Sequence, residues 1–228
     1  MKNEKINKEI INIWKEYSKD KEENMPLFYP DFNKNGILCI GCNPSLRKDF
    51  ISMKFDEKDK NKINKLINEE KLCRLNRKDK YFGKFIELSE KINIKPDYLD
   101  LFLYRQLKQN EFKNKIFEEK KKGIKKNSIL NKFGEKQIDL FINILEEDLA
   151  KPKIILVANA FVRYLLYERL KDKIIKSFEE KGYDVINLNN RNIPIFFSSM
   201  LSGGHLDNDS FDRLCWLIKK ALKETKKD

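Results

Sequence analysis

Three short stretches of this chain are apolar almost without interruption: Gly36-Ile-Leu-Cys-Ile40, Lys153-Ile-Ile-Leu-Val157 and Ile193-Pro-Ile-Phe-Phe-Ser-Ser199. A strand with one wet face alternates apolar and polar residues, whereas a strand covered on both faces has no position to give to water. The runs are too short for helices and therefore predict strands, the first two of them buried in the sheet and 193–199 a further strand. Two further strands are expected at 98–103 and 184–189. Between the strands the apolar spacing turns helical, at about 4–19, 58–72, 79–93, 109–121, 135–149, up to about 171, and from Asp207 or Asn208 onward. Ile6, Ile10, Ile11, Trp14 and Tyr17 set the first of these stripes. Such alternation predicts an α/β fold, a three-layer α/β/α arrangement with a central, mainly parallel sheet of four to five strands. No repeat or long linker divides the 228 residues. One domain over 1–228 is expected, with the helix and loop of 1–34 packed on it.

Composition narrows the partners. Lys plus Arg number 48 against 36 Asp plus Glu, a formal charge of +12. An excess of that size favours polyanions: DNA, RNA or an anionic surface. The start of the chain is charged throughout and no run suits a membrane helix, so neither a signal peptide nor a membrane span is expected, and the cytoplasm is the expected compartment. Cys39, Cys42, Cys73 and Cys215 do not form a disulfide framework. No metal or other cofactor is expected.

In open α/β sheets, sites form in loops at the carboxyl ends of the strands. Three polar loops fall there: 41–45, 104–106 and 199–206. In the first, Gly41 permits a sharp turn and Pro44 fixes the backbone after Asn43. A carboxamide held this way can orient a water; it can equally close a turn by bonding nearby backbone. The last loop combines Ser199, Ser202, Gly203, Gly204 and His205, the one histidine of the chain. Paired glycines let backbone approach a ligand, and a serine can donate to phosphate.

Gly41-Cys-Asn-Pro-Ser45 after a buried strand resembles the first motif of the uracil-DNA glycosylase superfamily. It is closest to the mismatch-specific and single-strand-selective branches, which read Gly-x-Asn-Pro-Gly. Ser198 to Asp212 is similar to the second motif, whose loop contacts DNA, and the likeness spans roughly residues 35–222. The usual His-Pro-Ser-Pro is replaced here by Ser199-Met200 and a shifted His205, with no proline. The resemblance implies that Asn43 positions the hydrolytic water, with His205 and Ser199 as further catalytic candidates. It places Gly41, Cys42, Pro44, Ser45 and Asp100 around the base; Phe50, a few residues beyond the first motif, is either a stacking platform for an extruded base or a core residue, and Asn159, after the 153–157 strand, is a further base-pocket candidate. Ser202, Gly203, Gly204, Arg105, Lys121 and Lys122 are the expected DNA contacts, joined by the basic joint Arg74–Lys80.

Asp100 falls where family members carry an Asn that reads the base edge. An ionised Asp only accepts hydrogen bonds, so it would suit an amino-bearing base better than uracil. The expected activity is hydrolysis of an N-glycosidic bond in DNA by a monomer. The alternative is a DNA-binding or defence protein that keeps the fold without the chemistry; hydrolysis of a free nucleoside fits the charge less well.

Overall fold

A computed structural model describes residues 3–17, 25–47, 56, 58–106, 109–118, 129–147 and 149–225. Eight helices lie among them: α1 Glu4–Tyr17, α2 Lys60–Leu75, α3 Phe82–Ile92, α4 Gln109–Ile116, α5 Lys132–Glu146, α6 Ala160–Leu170, α7 Phe178–Lys181 and α8 Asn208–Glu224. The strands are β1 Ile37–Gly41, β2 Pro96–Asp100, β3 Ile154–Val157, β4 Ile174–Ile175, β5 Asp184–Leu188 and β6 Arg191–Phe197. The chain forms two compact units. One comprises Met1–Asp31, Asn43–Glu70 and Asp100–Ile144; the other comprises Phe32–Cys42, Lys71–Leu99 and Leu145–Asp228.

The second unit holds the sheet, in the order β2-β1-β3-β6-β5-β4. Every residue of β1 and of β3 is buried, as their unbroken apolar sequences require. The two pair in parallel, Ile37 with Ile154 through Ile40 with Val157, and β3 pairs in parallel with β6, Val157 opposite Phe197. Side chains alternate across this register. Ile37, Cys39, Ile154, Leu156 and Phe196 therefore share one face, where they join Phe85 and Leu88 of α3 and Phe211, Leu214 and Ile218 of α8 in a single core. On the other face Phe197 stacks against Tyr167 of α6, ring centroids 4.8 Å apart. Helices thus cover both faces, and the α/β expectation holds.

The sheet has six strands rather than four or five, and its far side is antiparallel. β5 and β6 form a hairpin, and the two-residue β4 adds antiparallel to β5. Asn189 and Asn190 make the turn at φ 51° and 60°. Positive φ at both central residues is what a tight hairpin needs to match the strand twist, and Asn accepts it more readily than most residues. The second strand ends at Asp100 instead of running to 103. Leu101, Phe102, Leu103 and Tyr104 remain buried outside it.

The first unit is organised around aromatic packing. Trp14 stacks on Tyr104 at 5.7 Å and meets Phe133 edge-on at 5.3 Å. The loop Met25–Tyr29 is buried and ordered by backbone bonding. Asn7 bonds both the N–H and the carbonyl of Tyr29 at 2.9 Å, and Leu27 N–H donates to Leu103 O at 3.0 Å. Tyr29 Oη in turn meets the backbone N–H and carbonyl of Asp100, at 3.1 and 3.3 Å.

Arg105 corrects an expectation. Its side chain is fully buried and forms an ion pair at 2.6 Å with Glu70, itself 5% exposed, so it has no open path to a DNA phosphate. Removing one member of a buried pair strands the other charge, which costs about 3–5 kcal/mol. Arg105→Ala should lower unfolding free energy by that amount in urea titrations, while Arg105→Met combined with Glu70→Leu should recover most of it.

Candidate functional site at the carboxyl ends of the strands

The strand order marks a candidate position for a ligand without reference to any motif. The chain leaves β1 for β2 on one side, while β3 pairs with β1 on the other. The reversal falls between β1 and β3, and crevices open outside the carboxyl ends of strands at such a switch point. Gly41 ends β1 there, and Ala158 and Asn159 follow β3. Ser198 N–H donates to Val157 O at 2.9 Å, which carries β6 alongside to the same edge. Gly41, Cys42, Asn159, Ser199 and Ser202–His205 all belong to the second unit. Asn43, Pro44, Ser45, Asp100 and Arg105 belong to the first. Phe50, Lys121 and Lys122 lie outside the described residues, as does the lysine run 120–126.

Gly41 sits inside β1 and Cys42 is buried. The glycines with left-handed φ among the described residues are Gly182, Gly203 and Gly204, so Gly41 does not make the turn expected of it.

Asn43 is half-buried in the loop that follows, before a buried Pro44 and an exposed Ser45. Its Nδ2 donates to the carbonyls of Pro44 at 3.2 Å and Tyr104 at 3.4 Å. Pro44 O also accepts from Gln106 N–H at 3.3 Å, joining the first loop to the segment after β2. Carbonyl oxygens accept only, so they fix the NH2 end of the carboxamide against themselves. The Oδ1 acceptor is thereby turned away from both. Turn closure and water orientation draw on the same geometry: the donor closes the turn and the acceptor is left over. Tyr104, whose carbonyl completes the arrangement, carries no signal in the sequence because backbone groups are common to every residue.

Asn159 has a structural task. Its Oδ1 accepts from Phe161 N–H at 3.0 Å and Val162 N–H at 3.1 Å, capping α6. Asp100 is the last residue of β2; its side chain is half-buried, while its backbone is held by Tyr29.

The loop 199–206 is anchored by Leu201, which is 3% exposed within the sheet core although Met200 beside it is exposed. Ser199 and His205 are exposed and Ser202 is half-buried. Gly203 and Gly204 take φ of 74° and 72°. The His205 ring folds over Gly203, since a Cβ there would lie 3.3 Å from Cδ2 and 3.5 Å from Nε2. Asp207 then caps α8, accepting from Ser210 N–H at 2.8 Å, as its place before the last apolar stripe predicts.

The basic joint is partly given over to structure. Arg74 is buried, 3.9 Å from Asp97 and over the Tyr98 ring; Arg77 pairs with Glu90 at 2.9 Å. Burial pushes the Asp97 carboxyl up to about 6, with Arg74 and the backbone N–H groups of Asn33 and Tyr98 pulling the other way.

Among the described residues no cluster of three or more His, Cys, Asp or Glu side chains is placed to hold a metal ion, and no helix is long and apolar enough to cross a membrane. No protein-family model matches the chain, and no curated protein matches it in sequence.

The cap that Asn159 makes and the base contact expected of it can be separated. Asn159→Ala should cost about 1 kcal/mol of stability through the lost cap. Asn159→Asp keeps the accepting oxygen and should unfold at the wild-type urea midpoint or above. A change in nucleic-acid binding by Asn159→Asp at unchanged stability would then report a side chain near the bound strand, through the lost Nδ2 donor and the added negative charge together.

Proposed function

We propose that the protein is a monofunctional DNA glycosylase, hydrolysing the bond between a base and its deoxyribose. The observation that carries this reading is the carboxamide of Asn43. Its donor end is committed to two backbone carbonyls, so its acceptor end is fixed in orientation before any ligand arrives. An acceptor held in that way takes one O–H of a water and aims the oxygen lone pair elsewhere. In the proposed reaction that lone pair attacks the anomeric carbon as the C–N bond breaks, the bonding electrons leave with the base, and the proton the water releases ends on the departed base. The deoxyribose passes through an oxocarbenium-like state, which needs a positioned water more than a strong base. An amide is no general base, so rates should be modest beside enzymes carrying a carboxylate there.

The resemblance of Gly41–Ser45 to the glycosylase first motif supports the same assignment. Loop 199–206 supplies a DNA contact, with the exposed backbone of Gly203-Gly204 and the Ser199 hydroxyl as donors to phosphate. The target base must leave the stack to be reached, and a damaged or mispaired base does so at least cost. Asp100 as an acceptor at the base edge favours a base with an exocyclic amino group. The chemistry needs no cofactor, and one chain suffices for it. The exposure of His205 favours a second reading, a DNA-binding protein without catalysis, because a histidine stabilising a departing base works best shielded from water.

Oligonucleotides carrying uracil, hypoxanthine, mismatched or modified cytosine and modified adenine test the proposal. Wild-type protein should leave alkali-labile abasic sites on at least one. Asn43→Ala should slow their formation by about 100-fold or more while binding of undamaged DNA is retained. Salt-sensitive binding with no abasic site on any of them would favour the second reading.

A further inference from the structure

At the opposite end of the sheet, where β3 and β6 begin, lies a cleft of about 630 Å³. Its basic residues come from four parts of the fold: Lys91 at the end of α3, Lys153 just before β3, Arg191 at the start of β6, and Lys219 and Lys223 one turn apart on α8. The apolar side chains of Ile193 and Leu222 contribute to its wall, and among the described residues no carboxylate lines it. Acids close by are engaged: Asp212 and Glu87 with Lys91, and Glu224 with the Tyr183 hydroxyl at 2.6 Å.

Lysines near helix ends have an ordinary explanation, since a helix C-terminus carries about half a negative charge. Magnitudes decide against that explanation alone. The ends of α3 and α8 together supply about one negative charge, and Asp212 a second. Glu87, which also pairs with Lys91, supplies a third, so against the four lysines of the cleft, with Arg191 left out of the count, an excess of about one positive charge remains. Like charges gathered in one cleft repel, and a bound anion removes that repulsion.

We propose that this cleft is a phosphate-binding site for the backbone of a nucleic-acid strand, separate from the site at the carboxyl ends of the strands. A cleft of about 630 Å³ lined by four lysines is larger than one phosphate fills and suits a strand that presents several. Apolar wall atoms give a sugar or base edge something to lie against. The contact is sequence-independent and does not depend on whether the protein cleaves any base. It gives the chain a second hold on nucleic acid at the far edge of the sheet.

The test uses an unmodified fluorescent single-stranded oligonucleotide and anisotropy over a range of salt concentrations, with three proteins: wild type and two variants. Lys153→Glu/Lys219→Glu/Lys223→Glu reverses the cleft. Lys8→Glu/Lys136→Glu/Lys176→Glu makes the same change in net charge at exposed positions elsewhere. The cleft variant should bind at least tenfold more weakly than wild type, and its slope of log affinity against log salt should fall by about 2, near 0.7 per lost phosphate contact. The control variant should lose much less of both. Equal losses in the two variants would reduce the effect to net charge and overturn the site, as would no loss in the cleft variant. Displacement of the oligonucleotide by micromolar mononucleotide would assign the cleft to a free nucleotide and overturn the strand assignment. Circular dichroism melts of all three proteins separate these outcomes from misfolding. Because the oligonucleotide has no excisable base, loss of binding here and failure of the glycosylase proposal are read independently.

Discussion

The parallel pairing of β1, β3 and β6 is the constraint on which the candidate edge of this protein depends. Register puts Ile40 beside Val157 and Val157 beside Phe197. The residues that follow each strand therefore leave the sheet at one edge whatever their side chains are. That register is itself dictated by burial. A slip of one residue would turn Ile37 and Cys39, Ile154 and Leu156 away from α3 and α8 and break the core they share. The same packing that stabilises the second unit thus brings Gly41, Ala158 and Ser198 into line. The loops that follow carry the residues on which the proposed chemistry rests.

Positive charge is used in two ways. Some cations are interior: Arg105 is paired with Glu70, and Arg74 lies between Asp97 and the Tyr98 ring. Such groups are costly to bury and hold local structure together; they are not open to a polyanion. Others, such as Lys153, Lys219 and Lys223, line a cleft that a strand of phosphates could enter. Counting lysines and arginines in the sequence does not distinguish the two uses. Arg105, placed directly after a buried strand, reads as a site residue until its burial is seen.

The parts of the fold that could be read from sequence were those governed by local periodicity. The unbroken apolar runs of β1 and β3, the stripe of α1 and the Asp207 cap of α8 each follow from a few neighbouring side chains. The parts that could not be read depend on contacts between distant segments. Two-residue β4 exists only because β5 lies beside it, and Leu101–Tyr104 look like strand but are buried without pairing as one. At the candidate site, the positions of Asn43, Asn159 and Ser199 after strand ends were legible. The capping role of Asn159 and the carbonyls that orient Asn43 were not, because both rest on backbone groups. The basic cleft was invisible because its members, Lys91, Lys153, Arg191 and Lys219, are far apart in the chain and only the fold brings them together.

Amide hydrogen exchange with and without a saturating single-stranded oligonucleotide tests most directly whether the carboxyl-terminal edge of the sheet meets DNA. Exposed loop amides exchange freely and slow when a ligand covers them. Peptides covering 41–47 and 199–206 should exchange more slowly in the complex. Unchanged exchange in both, with the oligonucleotide demonstrably bound, would mean that DNA does not reach this edge and that the glycosylase proposal fails.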